Sequence, residues 1–103
     1  MTLLEKITAA GGKLWRKGNQ ARFYFSNLEE LYGLRTNNYK SGNVRSATLN
    51  GEKISNSRAH DIINMLRGKQ VYIDAMKGEL TIVSDLDGES HAIIEAAIRK
   101  SVS

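Results

Sequence analysis

The chain has 103 residues, 41% of them hydrophobic and 25% charged, with a net charge of +4 and no Cys or Pro. That balance fits one globular domain over residues 1–103 and argues against wholesale disorder. Without Cys there are no disulfides, thiolate nucleophiles or cysteine metal sites, and no apolar run approaches the ~20 residues a membrane helix needs.

The opening MTLLEKITAAGG carries Glu5 and Lys6 inside its apolar stretch, which argues against a signal peptide and, with the absence of Cys, for a cytoplasmic protein. Thr2 and Glu5 have the spacing of a helix capping box, Leu3, Leu4 and Ile7 give one apolar face, and Gly11-Gly12 is a stop. Next comes KLWRKGNQARFYF, in which Gly18-Asn19 suits a two-residue hairpin turn. That turn pairs Lys17 with Gln20, Trp15 with Arg22 and Lys13 with Tyr24. Leu14, Ala21, Phe23 and Phe25 then share the core face, with Arg16 near the turn. Lys13, Trp15, Lys17, Gln20, Arg22 and Tyr24 share the other.

Asn27 is placed to cap a short helix with Glu29 and Glu30 in its first turn, Leu28, Leu31 and Leu34 facing the core, and Gly33 near the stop. Residues 35–44 are polar and rich in Asn, and read as a loop. Asn50-Gly51 then predicts a second hairpin within residues 46–54. Asn56 or Ser57 caps a helix with Ala59, Ile62, Ile63 and Leu66 on one face and Gly68 at its end. Residues 71–83 alternate about Lys77-Gly78 as a third hairpin, and Asp85-Leu-Asp-Gly leads into a last helix carrying Ile93, Ile94, Ala97 and Ile98.

The order predicts an α+β fold, an antiparallel sheet of hairpins with helices on one face. Helix, Gly12-Lys13, hairpin, helix recurs as helix, Gly68-Lys69, hairpin, helix, an αββα pseudo-repeat at the level of topology.

Charge is uneven along the chain. From Lys13 to His60 nine cations stand against three acids; from Asp61 onward five cations stand against seven acids. The basic half is suited to phosphate or an acidic protein surface. Within it, Lys13, Trp15, Lys17, Arg22 and Tyr24 combine rings with cations, as single-stranded nucleic acid requires: bases stack on rings while cations hold phosphates. The competing reading is structural, a Trp–Arg cation–π pair across a hairpin. Arg35, Tyr39, Lys40 and Arg45 supply further phosphate- and base-binding groups in the polar stretch, where a solvated, turn-rich loop is the alternative. A helix-turn-helix about Gly33 is a weaker reading than a turn-rich loop, because its second helix would meet Gly42-Asn43 within two turns and has no apolar face.

Catalytic and metal signatures are lacking. Asp85-Leu-Asp-Gly-Glu89 lacks the remaining ligands of a calcium loop, and His60 and His91 are far apart in sequence. Ser55-Asn56-Ser57-Arg58 reads as helix capping more readily than as an anion site. No cofactor-binding motif is present.

The run YKSGNVRSATLNGEKISNSRA, with Trp15-Arg-Lys and the Phe-Tyr-Phe strand before it, resembles small uncharacterised proteins encoded by bacteria, their phages and mobile elements over about two-thirds of the chain. The resemblance implies a class of gene and carries no activity to particular residues. Phage proteins of this kind often bind nucleic acid, or bind and block host defence machinery such as CRISPR effector complexes. The expectation is therefore a non-enzymatic, cytoplasmic module that binds nucleic acid through its cationic-aromatic hairpin. The alternative is an anti-defence inhibitor of a nucleic-acid-handling protein complex. Both have no membrane association, and the sheet edges leave a homodimer open.

Overall fold

The computed structural model describes residues 1–77 and 80–103. Helices and antiparallel sheets make an α+β fold. Helix α1 (Leu3–Ala9) starts where expected: the Thr2 hydroxyl accepts from the Glu5 amide at 3.2 Å and donates to the Glu5 carboxylate at 3.1 Å. Strands β1 (Gly12–Lys17) and β2 (Gln20–Phe25) pair in the register the turn dictates, Lys17 with Gln20 through Gly12 with Phe25. Gly18 has φ +59°, the left-handed value that the first position of this turn demands and that glycine adopts without a Cβ clash.

Helix α2 (Leu28–Tyr32) ends at Gly33, φ +96°, where the Asn50 side chain lies so close that no Cβ would fit. The Asn50 amide donates to the Gly33 carbonyl at 2.8 Å, so this glycine also anchors the next hairpin. Asn27 precedes α2 without capping it through its side chain. Its amide donates instead to the Ala10 carbonyl at 3.1 Å and ties the end of α1 to the start of α2.

The expected loop over residues 35–44 is in large part a strand. β3 (Leu34–Asn38) pairs with β4 (Val44–Leu49), which pairs with β5 (Glu52–Ile54) across the two-residue Asn50-Gly51 turn. The polar side chains of β3 hid it, because an edge strand is held by backbone pairing and needs little apolar alternation. Register slips between Asn37 and Asn38, leaving Arg45 as the extra residue of a bulge. The bulge resets the alternation and lets Val44 join Ala47 in the core, although their spacing in an unbroken strand would put them on opposite faces.

Helix α3 (Asn56–Leu66) is capped by Ser55, one residue earlier than expected; its hydroxyl accepts from the Arg58 amide at 3.1 Å. Asn56 is engaged elsewhere, donating to the Val44 carbonyl at 3.2 Å. β6 (Val71–Asp74) and β7 (Thr81–Ser84) pair symmetrically about Lys77-Gly78 as expected. A 3-10 turn at Ala75–Lys77 makes their connection longer than a tight turn, and Gly78 lies outside the described residues. Helix α4 (Gly88–Val102) is capped by Asp87, whose carboxylate accepts from the Ser90 amide at 2.9 Å.

The hairpins form two sheets where one was expected. β1-β2-β6-β7 make a four-stranded antiparallel sheet and β3-β4-β5 a three-stranded one. The two αββα units meet edge to edge through β2 and β6, with the smaller sheet inserted between them. Their Gly-Lys pairs are not equivalent positions: Gly12 opens β1, whereas Gly68 stands outside β6. One buried cluster serves both sheets. Phe23, Phe25, Val71, Ile73 and Ile82 come from the larger, Leu34, Val44 and Ala47 from the smaller, and Ala59, Ile62, Leu66, Ile94, Ile98 and Val102 from the helices. No described helix is long and apolar enough to cross a membrane.

Candidate nucleic-acid interface

Alternation along the four-stranded sheet sends Phe23, Ile73 and Ile82 inward on one row of paired residues. Leu14, in the same row and expected in the core, is 47% exposed, because β1 is the edge strand and is exposed from Lys13 to Lys17. The adjacent rows point outward. One runs Lys13, Tyr24, Tyr72, Val83; the next runs Trp15, Arg22, Asp74, Thr81. None of these eight residues is buried, and Lys17 and Gln20, on the same face nearer the turn, are exposed. The sheet therefore has one face in the core and one turned away from it, the usual division for an antiparallel sheet.

The rings on this outer face touch in series. Trp15 meets Tyr24 edge-on, with centroids 6.2 Å apart and planes at 86°. Tyr24 and Tyr72 lie 5.1 Å apart, tilted at 41°. The Arg22 guanidinium carbon sits 4.6 Å from the centre of the Tyr72 ring, and its Nη1 donates to the Tyr24 hydroxyl at 3.2 Å. Arg22 lies opposite Asp74 yet makes no ion pair with it; Asp74 accepts instead from the Met76 amide at 3.0 Å. The Tyr24 hydrogen bond, partly opposed by desolvation, holds Arg22 more firmly in its charged form. Trp15 is 39% exposed, so its indole is only partly used in packing.

Lys13, Trp15, Lys17, Arg22 and Tyr24 are thus brought onto one face. Tyr39, Lys40 and Arg45 are not: Tyr39 and Lys40 lie between β3 and β4 at the far end of the other sheet, and Arg45 is its bulge residue. Arg35, on β3, joins the first group only through a groove that Lys13 also lines. Tyr72 was absent from the sequence reading. Alternation about Lys77-Gly78 places Tyr72 outward, but its position beside Tyr24 depends on the β2–β6 pairing, which joins segments separated by the inserted sheet.

His60 is exposed on α3, while His91 has partners. Its Nδ1 lies 2.5 Å from the Ser84 hydroxyl and its Nε2 3.3 Å from Glu95, which also meets Arg99 at 3.3 Å. The Ser84 hydroxyl also accepts from the Leu86 amide at 3.4 Å, and the grooves described on the surface are not lined by Ser84 or His91. These contacts fasten β7 to α4. Asp85 and Asp87 likewise serve the fold: Asp85 accepts from the Gln70 amide at 2.7 Å and Asp87 caps α4. Among the described residues no group of His, Asp and Glu is placed to hold a metal ion. Comparison with protein-family models, with curated proteins and with solved structures finds no match to this chain.

Proposed function

We propose that the protein binds single-stranded nucleic acid on the outer face of its four-stranded sheet. One observation carries the reading: Trp15, Tyr24 and Tyr72 form a contiguous series of rings with the Arg22 guanidinium against it and Lys13 and Lys17 at its margin. Rings and a guanidinium plane offer stacking surfaces to any base, and lysines offer charge to the backbone. Because Arg22 already lies against Tyr72, a base approaching there stacks on the guanidinium plane, and Trp15 offers the most accessible ring.

The test is a titration with single-stranded DNA, single-stranded RNA and duplex DNA at low and near-physiological salt. Trp15 fluorescence is followed together with the anisotropy of labelled strands. Saturable quenching by single strands that weakens with salt is the expected result. Absence of binding in both observables overturns the reading. It would return the face to a structural role or a protein-docking one, including the inhibitor of a nucleic-acid machine considered from the sequence.

A further inference from the structure

A groove of about 630 Å³ opens beside the edge strand β1. Three elements distant in sequence each bring a cation to it: Lys13 from β1, Arg35 from β3 and Lys100 from the last turn of α4. Its lining holds one acid, Glu30. Among the described residues none of the three cations makes an ion pair, and Glu30 is not within salt-bridge distance of any of them. Lys100 near a helix C-terminus is favourable on its own account. Lys13 and Arg35 lie just beyond the C-terminal ends of α1 and α2, whose last carbonyls offset part of their charge. With three exposed cations against the single Glu30 the lining stays net positive, which suits an anion.

Lys13 gives the groove its connection. It lies in the same outward row as Tyr24 and Tyr72, so a strand lying on the rings and passing the β1 edge meets Lys13 and then the groove. Ser26 and Ser101, also in the lining, add hydroxyl donors for phosphate oxygens.

We infer that this groove is a phosphodiester subsite, in which Arg35 and Lys100 hold the backbone of a single strand continuing from the aromatic face. The inference rests on the function proposed above, and adds a direction to the strand's path and a residue, Lys100, outside the basic half of the sequence.

The experiment compares oligothymidylates of about three and about ten nucleotides on the wild-type chain and on an Arg35→Gln, Lys100→Gln double variant. Both residues are exposed, so the variant is expected to fold, and far-UV circular dichroism checks it. In the wild type the longer oligonucleotide binds more tightly, and its salt slope is steeper by about 1.4, or ~0.7 for each of two added phosphates on a single strand. In the double variant that extra slope and affinity are lost, while Trp15 quenching by the short oligonucleotide is unchanged. A length-dependent gain that survives in the variant overturns the subsite and leaves the aromatic face standing. Quenching by neither oligonucleotide overturns the face and the subsite together. A third arm adds inorganic phosphate and pyrophosphate: stabilisation against heat that needs Arg35 and Lys100, without any gain from oligonucleotide length, assigns the groove to a free anion and overturns the strand path.

Discussion

On the four-stranded sheet the face away from the core carries Trp15, Tyr24 and Tyr72. On the three-stranded sheet the corresponding positions are Arg35, Asn37, Ser46, Thr48 and Lys53, with no ring among them. The smaller sheet shows that a solvent-facing surface in this fold is adequately built from short polar and charged side chains. Rings on the larger sheet therefore need a further cause. Part of it is internal, since each aromatic pair adds about 0.5–1.5 kcal/mol beyond the area it buries. That explains why Tyr24 and Tyr72 stand together. It does not explain why Lys13 and Lys17 bracket the series.

One buried cluster lies beneath both sheets, and the largest expected effect tests it. Ile98 is fully buried on α4, in the cluster both sheets join. Ile98→Ala is expected to cost about 2–5 kcal/mol through lost burial and the cavity left behind. Urea unfolding measures it. Trp15 fluorescence, reporting the larger sheet, and far-UV circular dichroism, reporting the whole chain, should shift together. Separate transitions would mean that the sheets rest on independent cores.

Binding separates the two faces next. Trp15→Ala is expected to weaken single-strand affinity about five- to 150-fold, the equivalent of roughly 1–3 kcal/mol for one stacked base. Tyr39→Ala, removing the 56% exposed ring at the tip of the smaller sheet, is expected to leave affinity within about twofold. Anisotropy of a labelled strand reads both without needing Trp15. Equal losses would move the interface onto both sheets.

Gly33→Ala strikes the junction between the end of α2 and the smaller sheet. It places a Cβ on a residue at φ +96° and against Asn50, so the cost is expected to exceed about 1 kcal/mol. Amide exchange of β4 and β5 should accelerate while that of β1 and β2 changes less. Uniform acceleration would show that the hairpin does not open independently of the larger sheet.

The part of this architecture that could be read from the chain was the part fixed locally. Gly18-Asn19 and a period of two determine every pair in the first hairpin, and with them the side to which Trp15 and Tyr24 point. Asn50-Gly51 did the same for β4 and β5. What escaped was set by contacts between distant segments. β3 has no apolar alternation because it needs only a backbone partner. Val44 becomes a core residue through a bulge with no composition of its own. Asn56 has the chemistry of a cap but spends its amide on β4, leaving that role to Ser55. For the candidate interface the pattern is the same. The hairpin residues were legible, whereas Tyr72 and Lys100 enter only once β2 has met β6 and α4 has packed beside α1 and α2.

The smallest effect concerns α4, which brings Ile94, Ile98 and Val102 to the buried cluster. The Asp87 carboxyl is held below its ordinary value of 3.8, chiefly because it accepts the Ser90 backbone N–H at the start of α4. As pH falls the unfolded chain takes up this proton first. The stabilisation is therefore complete above the ordinary value and is lost as pH drops through the lower folded value. Asp87→Asn keeps a good capping residue and removes the titration. Its stability near neutral pH should stay close to wild type, while the decline on acidification becomes shallower. Urea midpoints between about pH 2 and 6 give the comparison. Parallel acid limbs in the two proteins would assign the decline to other carboxylates. If the difference appears in Trp15 fluorescence and not in amide exchange of β4, α4 steadies the larger sheet more than the smaller.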